Sequence, residues 1–220
     1  SSGTGLSLQN AGTDSGSYVV GAGASLNVQG PLAVRTVGGS SGISGAGVIS
    51  IDNGAQLTVT APVYSIDQTL INAAPGTQLD LSTGGTVTVA QLALQGAGVG
   101  GTLTGSSPIV TTALFRHERG TISASAGTPS LTIASGSGSF LSPDPKTYRQ
   151  RALVIGANST WTGGDIGLES GATITIQPGA AFDIDFPGSN GAVTCPVCTS
   201  SISNNGTLTK LNTGTITLDP

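Results

Sequence analysis

The chain has 220 residues, enough for one domain or one continuous solenoid segment with a substantial core. Its formal net charge is −4, which argues against a general nucleic-acid binder, a class that is basic. Charged residues make up 8% and hydrophobic residues 37%, the reverse of a disordered chain, and so few Lys and Glu leave no exposed faces for helices.

Gly occurs 35 times, about twice its usual share, and Met is absent. A core of Val, Leu, Ile and Ala, with Gly, Ser, Thr and Asn between, suits short strands joined by tight turns. No apolar run approaches the ~20 residues of a spanning helix, so the chain is not expected to cross a membrane. Ser1 to Leu8 carry no signal-peptide pattern and read as the middle of a repeat, as do Thr215 to Pro220. The expectation is a mature fragment of a longer secreted or surface protein.

From the N-terminus onward one phrase recurs: Gly, a small residue, then apolar–polar–apolar. It appears at Gly23-Ala24-Ser25-Leu26-Asn27-Val28, Gly54-Ala55-Gln56-Leu57-Thr58-Val59 and Gly76-Thr77-Gln78-Leu79-Asp80-Leu81. It returns at Gly171-Ala172-Thr173-Ile174-Thr175-Ile176 and Gly179-Ala180-Ala181-Phe182-Asp183-Ile184, with shorter versions at Gly85, Gly101 and Gly214. Apolar residues two apart mark strands buried on one face, so Leu26, Val28, Leu57, Val59, Ile174 and Ile176 are predicted to point inward. Asn27, Thr58 and Thr175 are predicted to face water. The glycine supplies the bend. Repetition of one pattern, often at 20–30 residue spacing, predicts stacked units. The fold class is therefore all-β: a right-handed parallel β-helix of roughly ten coils and about 45 Å long, with residues 1–220 forming a single solenoid segment. A β-sandwich is the competing architecture.

Two stretches depart from the phrase. Ala61 to Ala74 reads as a strand pair or as a short helix at 68–73. From Leu114 to Arg151 the language changes to Arg116, His117, Glu118 and Arg119, then Pro143, Asp144, Pro145, Lys146, Tyr148, Arg149 and Arg151. This stretch, 114–151, is expected to be an irregular basic loop insertion, because each Pro removes a ladder donor. Brought together in space, Arg116, His117, Arg119, Lys146, Arg149 and Arg151 would make a positive patch for an acidic glycan or a protein partner. The alternative is that they solubilise an extruded loop.

Farther on, Gly156-Ala157-Asn158-Ser159-Thr160-Trp161-Thr162-Gly163-Gly164-Asp165-Ile166 resembles the "GANTYTGGT" phrase of the passenger-associated repeat of bacterial autotransporters. Asn205-Gly206-Thr207-Leu208-Thr209-Lys210, with Thr213-Gly214-Thr215-Ile216-Thr217-Leu218, resembles its "GTLTKTGTGTLTL" phrase. The resemblance implies a secreted or surface-displayed right-handed β-helix and no particular activity. The chain departs from the pattern in its basic stretch and its cysteine pair.

Asp183 and Asp185 alternate with Phe182, Ile184 and Phe186, which puts both carboxylates on one outward strand face. Such a pair suits calcium or the start of a glycosidase site; the plainer reading is a solvated face. Cys195-Pro196-Val197-Cys198 reads as a small disulfide pinning a loop, with free thiols as the alternative; a zinc site needs about four ligands and the only His is His117. Thr-x-Thr recurs at 58/60, 86/88, 102/104, 173/175, 207/209 and 215/217, which suits exposed strands or, if aligned, an ice-binding face. Asn158-Ser159-Thr160 and Asn205-Gly206-Thr207 are sequons. No cofactor and no catalytic residue is assigned. The expected function is an extracellular structural or adhesive β-helix that binds glycan or surface protein, with open end coils that invite end-to-end association. A polysaccharide lyase or hydrolase on the same fold is the runner-up.

Overall fold

The computed structural model describes residues 4–96, 99–186, 190–195 and 199–219. Among these residues the regular structure is entirely strand, and every strand pair is parallel. The chain is a right-handed parallel β-helix with three faces. Each coil runs through a first, a second and a third face in that order. One coil is Ser130–Ile133, Ser137–Phe140 and Lys146–Arg149; the next is Ala152–Ile155, Ser159–Trp161 and Ile166–Glu169. In the earlier coils the first and second faces are one bent strand, as in Gly42–Asp52, Val63–Asn72, Val87–Gln95 and Ile109–His117.

The third face is an unbroken 10-stranded sheet from Gly12–Asp14 to Ile216–Asp219. Ten strands make nine steps, so at ~4.8 Å per step the rod is about 43 Å long. On this face register partners lie between 19 residues apart, at Thr102 and Thr121, and 27 apart, at Gly167 and Thr194.

The recurrent phrase is a corner device. In each full copy the residue after Gly donates its N–H to the carbonyl three residues back: Ala24 to Gly21, Ala55 to Asp52, Thr77 to Ala74, Ala172 to Glu169 and Ala180 to Gln177. Gly54 at φ 81° and Gly171 at φ 78° take the left-handed conformation these β-turns need. Ala55, Thr77, Ala172 and Ala180 are buried, which is why the position admits only small residues. The strands that follow belong to all three faces, so the phrase marks corners and not whole coils.

The inward positions are as the alternation predicts. Leu26, Val28, Leu57, Val59, Ile174 and Ile176 are buried, and in-register pairing stacks Leu57 on Leu79, Leu79 on Leu103 and Leu103 on Ile122. Between residues 109 and 186 the core turns aromatic. One second-face file runs Leu92, Phe115, Gly138, Ser159, Phe182; its neighbour runs Leu94, His117, Phe140, Trp161, Ile184. Gly138 and Ser159 leave the room that the larger Phe140 and Trp161 occupy alongside. Phe115, Phe140 and Phe182 meet edge to face with centroids 5.6 and 5.4 Å apart. At the N-terminal end, Arg35 and Asp14 occupy registers that Leu57 and Val37 fill in neighbouring coils, and their ion pair lies across the end of the core.

Two expectations are corrected. Residues 114–151 are not an insertion: they supply strands to all three faces in register with the coils on either side. Pro143 and Pro145 sit in a five-residue corner, 141–145, outside the ladders, where a missing N–H costs nothing. Residues 68–73 contain no helix; 68–72 belong to the bent strand Val63–Asn72.

Replacing inward Ile174 with Asp is expected to cost several kcal/mol, because the carboxylate would be buried without a partner. Replacing the half-buried, outward-facing Thr175 with Asp is expected to change stability by roughly 0.5 kcal/mol or less. Urea denaturation of the two variants checks the register directly.

Candidate functional site

The six basic residues do not form one surface patch. Three are inside the rod. His117 is fully buried in the file between Leu94 and Phe140, with Nδ1 2.8 Å from the Tyr148 hydroxyl. Lys146 occupies the inward register that Ile166 takes in the next coil. Its Nζ donates to the carbonyls of Gly163 at 2.7 Å and of Ser142 and Asp144 at 3.0 Å. Arg151, at a third-to-first-face corner, donates to the carbonyls of Gly105, Ser107, Ser123 and Ser130 at 2.7 to 3.3 Å. It rivets successive coils together.

The other three lie outside, each beside a carboxylate: Arg116 with Glu118, Arg119 with Asp144 at 2.7 Å, and Arg149 with Glu169 at 2.6 Å. Alternation explains the split. Lys146, Tyr148 and the corner residue Arg151 fall on inward positions; Arg149 falls between them. The sequence carried this signal in Lys146-Thr147-Tyr148-Arg149, but a lysine at an inward position reads as a loop until its carbonyl partners are visible.

Burial sets the protonation of the interior groups. It lowers the His117 pKa to about 3, helped by the Lys146 charge and offset in part by the nearby backbone of Gly120 and Arg119. Burial also lowers Lys146 to about 8 and Arg151 to about 10, and it pushes the Tyr148 hydroxyl well up.

Asp183 is outward on the second face, in register with Thr160 and Thr209, and the Asp185 carboxylate accepts a hydrogen bond from the Asn212 amide. Among the described residues no group of three or more His, Cys, Asp or Glu is placed to hold a metal. Cys198 lies outside the described residues, and the expected Cys195–Cys198 disulfide with it. The threonine doublets are spread over all three faces: 102 and 104 on the third, 173 and 175 on the first, 207 and 209 on the second. Asn158 ties coils together, its Oδ1 accepting from the Ala181 N–H at 3.1 Å.

The feature that sequence reasoning missed is a split in the first-face ladder. Residues 42–45 pair with 63–66, and 87–89 pair with 109–111, but no pairing joins 63–66 to 87–89. Immediately beyond the bend the same two strands are in register, Gln68 beside Gln91. The gap is therefore a wedge, closed at the corner near Asp67 and Ala90. Both strands are held from their far sides. Gly42 lies so close to Val63 that an added Cβ would fall 2.7 Å from the Val63 Cβ. On the other side, the Val87 N–H donates to the Pro108 carbonyl at 2.8 Å and the Thr83 N–H to Ser107 Oγ at 2.8 Å. Tyr64 fills the core beneath, its hydroxyl 2.9 Å from Thr69 Oγ1.

Two grooves lie over the wedge. One, of about 430 Å³, is lined by Ser44, Gly45, Ala46, Ser65, Asp67 and Thr88, with Ala90 at its end. The other, of about 270 Å³, continues past Ser65 and Thr88 to Val63, Thr83 and Thr86. Both are open and rich in hydroxyls, and the first carries a single carboxylate, Asp67.

No protein-family model, curated protein or solved structure matches the chain. No helix among the described residues is long and apolar enough to cross a membrane.

The buried titratable groups predict pH dependence. Below pH 6.5 the unfolded chain protonates His117 while the folded chain does not until about pH 3, so stability falls as pH drops through that window. The contribution is up to about 1.4 kcal/mol per pH unit. Between about pH 8 and 10 the unfolded chain still holds the Lys146 proton that the folded chain has released, so stability rises with pH. Denaturation midpoints across pH, compared with His117→Gln and Lys146→Met, check both slopes; each variant is expected to flatten its own window.

Proposed function

We propose that this chain is a display rod: an extracellular or cell-surface structural and adhesive β-helix that binds glycan or surface protein without turnover. The observation that supports this best is how its charge is distributed. The inward cations are taken up by main-chain carbonyls, and Arg116, Arg119 and Arg149 stand beside carboxylates. What the rod offers to solvent over the split ladder is a hydroxyl-lined concavity. Such a surface suits many weak, neutral hydrogen bonds, direct or through water, repeated along a rigid axis. Rigidity follows from the continuous second- and third-face ladders, which hold the concavity in place whatever it contacts. Extracellular placement follows from the same reading together with the autotransporter-like phrases at 156–166 and 205–218.

Binding of the 220-residue protein to a printed glycan array and to immobilised cell-surface proteins tests this. The expected result is saturable retention by a subset of them, with no new reducing ends released from any polysaccharide that is bound. Release of sugar products would replace the display rod with a polysaccharide-active enzyme. Failure to bind either class would overturn the adhesive reading.

A further inference from the structure

We infer that the wedge over 63–66 and 87–89 is a binding site for a neutral, hydroxyl-rich glycan chain lying along the strands, across the rod axis. The inference rests on the display-rod reading and names the ligand class of its groove.

Four observations converge on this site. The first-face ladder is open here and joined at its other steps, so main-chain groups that elsewhere bond to the next coil face the groove. The side chains beside them are hydroxyls: Ser44, Ser65, Thr83, Thr86 and Thr88. Small residues at the corner, Gly45, Ala46 and Ala90, give the groove its depth. The volume of about 430 Å³ is in the range of ligand sites, roughly 300–1,000 Å³, and the adjoining 270 Å³ extends it past the shared Ser65 and Thr88.

Charge selects against acidic glycans. Asp67 is the one charged side chain of the two linings, and no Lys or Arg contributes to either. A uronate or sulfate would meet only like charge. A neutral sugar offers paired donors and acceptors that match hydroxyls and open main-chain groups, and Asp67 accepts from a sugar hydroxyl.

Geometry selects against an inserted peptide strand. A strand paired on both edges would need the coils about twice the ~4.8 Å ladder spacing apart. Gln68 and Gln91, paired one residue beyond the bend, hold them at single spacing. The wedge admits hydroxyl groups from above but not a backbone between its walls.

Titration calorimetry and NMR of the full 220-residue chain with cello-, malto-, manno- and xylohexaose, and with hexagalacturonate as the acidic comparison, decide the matter. At least one neutral hexasaccharide is expected to bind weakly, with hexagalacturonate weaker still. Ser65→Arg, an exposed change that fills the groove, is expected to weaken binding roughly tenfold or more. Ser125→Arg, on an exposed turn outside the groove linings, is expected to leave it unchanged. Stronger binding of hexagalacturonate, binding insensitive to Ser65→Arg, or capture of extended peptides that Ser65→Arg abolishes would each overturn the glycan assignment. If no hexasaccharide binds while the array still retains the protein, the groove assignment falls and the display rod stands. If neither binds, both fall.

Discussion

In-register parallel stacking is the constraint on which the rest of this molecule depends. Each inward residue sits one ladder step, about 4.8 Å, above its counterpart, so an inward position is a file running the length of the rod. A file tolerates one misfit only if the adjoining file compensates. Gly138 and Ser159 do this for the aromatics beside them: the small pair in one file is matched by Phe140 and Trp161 in the next. The same constraint determines what becomes of a charge. An inward cation has no route to solvent, and the partners within reach are the carbonyls of its own and neighbouring corners.

Lys146 and Arg151 show how that works. An unpaired buried charge costs several kcal/mol. Corners of a β-helix are where main-chain carbonyls leave the ladders, so they are where acceptors are free. Lys146 collects three such carbonyls and Arg151 collects four, from several coils. Carbonyls carry no net charge, so burial still outweighs them and both pKa values stay below their usual positions. These cations tie together corners whose lengths vary.

The fold was legible because its rule is local. Leu57-Thr58-Val59 states which way each side chain points, and Gly54-Ala55 states where the chain turns, without knowledge of distant residues. The period was harder to read, because one corner phrase serves three faces and coil lengths differ. The site residues were misplaced for a related reason. Lys146-Thr147-Tyr148-Arg149 has the alternation of a strand, but a charged residue at its inward position outweighed the pattern, since its compensation comes from carbonyls in other coils. The split ladder left no signature of its own. Val63 to Ile66 and Val87 to Val89 both look like sound strands, and each is engaged on its far side, beside Gly42 and beside Pro108 and Ser107.

That split bears on function through its cost. A parallel ladder that is joined at its other steps gives up stabilising main-chain bonds at this one, in the middle of the rod and not at a fraying end. The residues that hold it open are not weak strand formers, so local propensity does not account for the gap. Departures from otherwise consistent local rules concentrate where a protein contacts something else. The lining points the same way: the opening is faced by serine and threonine hydroxyls and one aspartate, groups that exchange hydrogen bonds with water and with sugars on similar terms. A rod whose interior absorbs half of its basic cluster presents this opening with no cation in its lining.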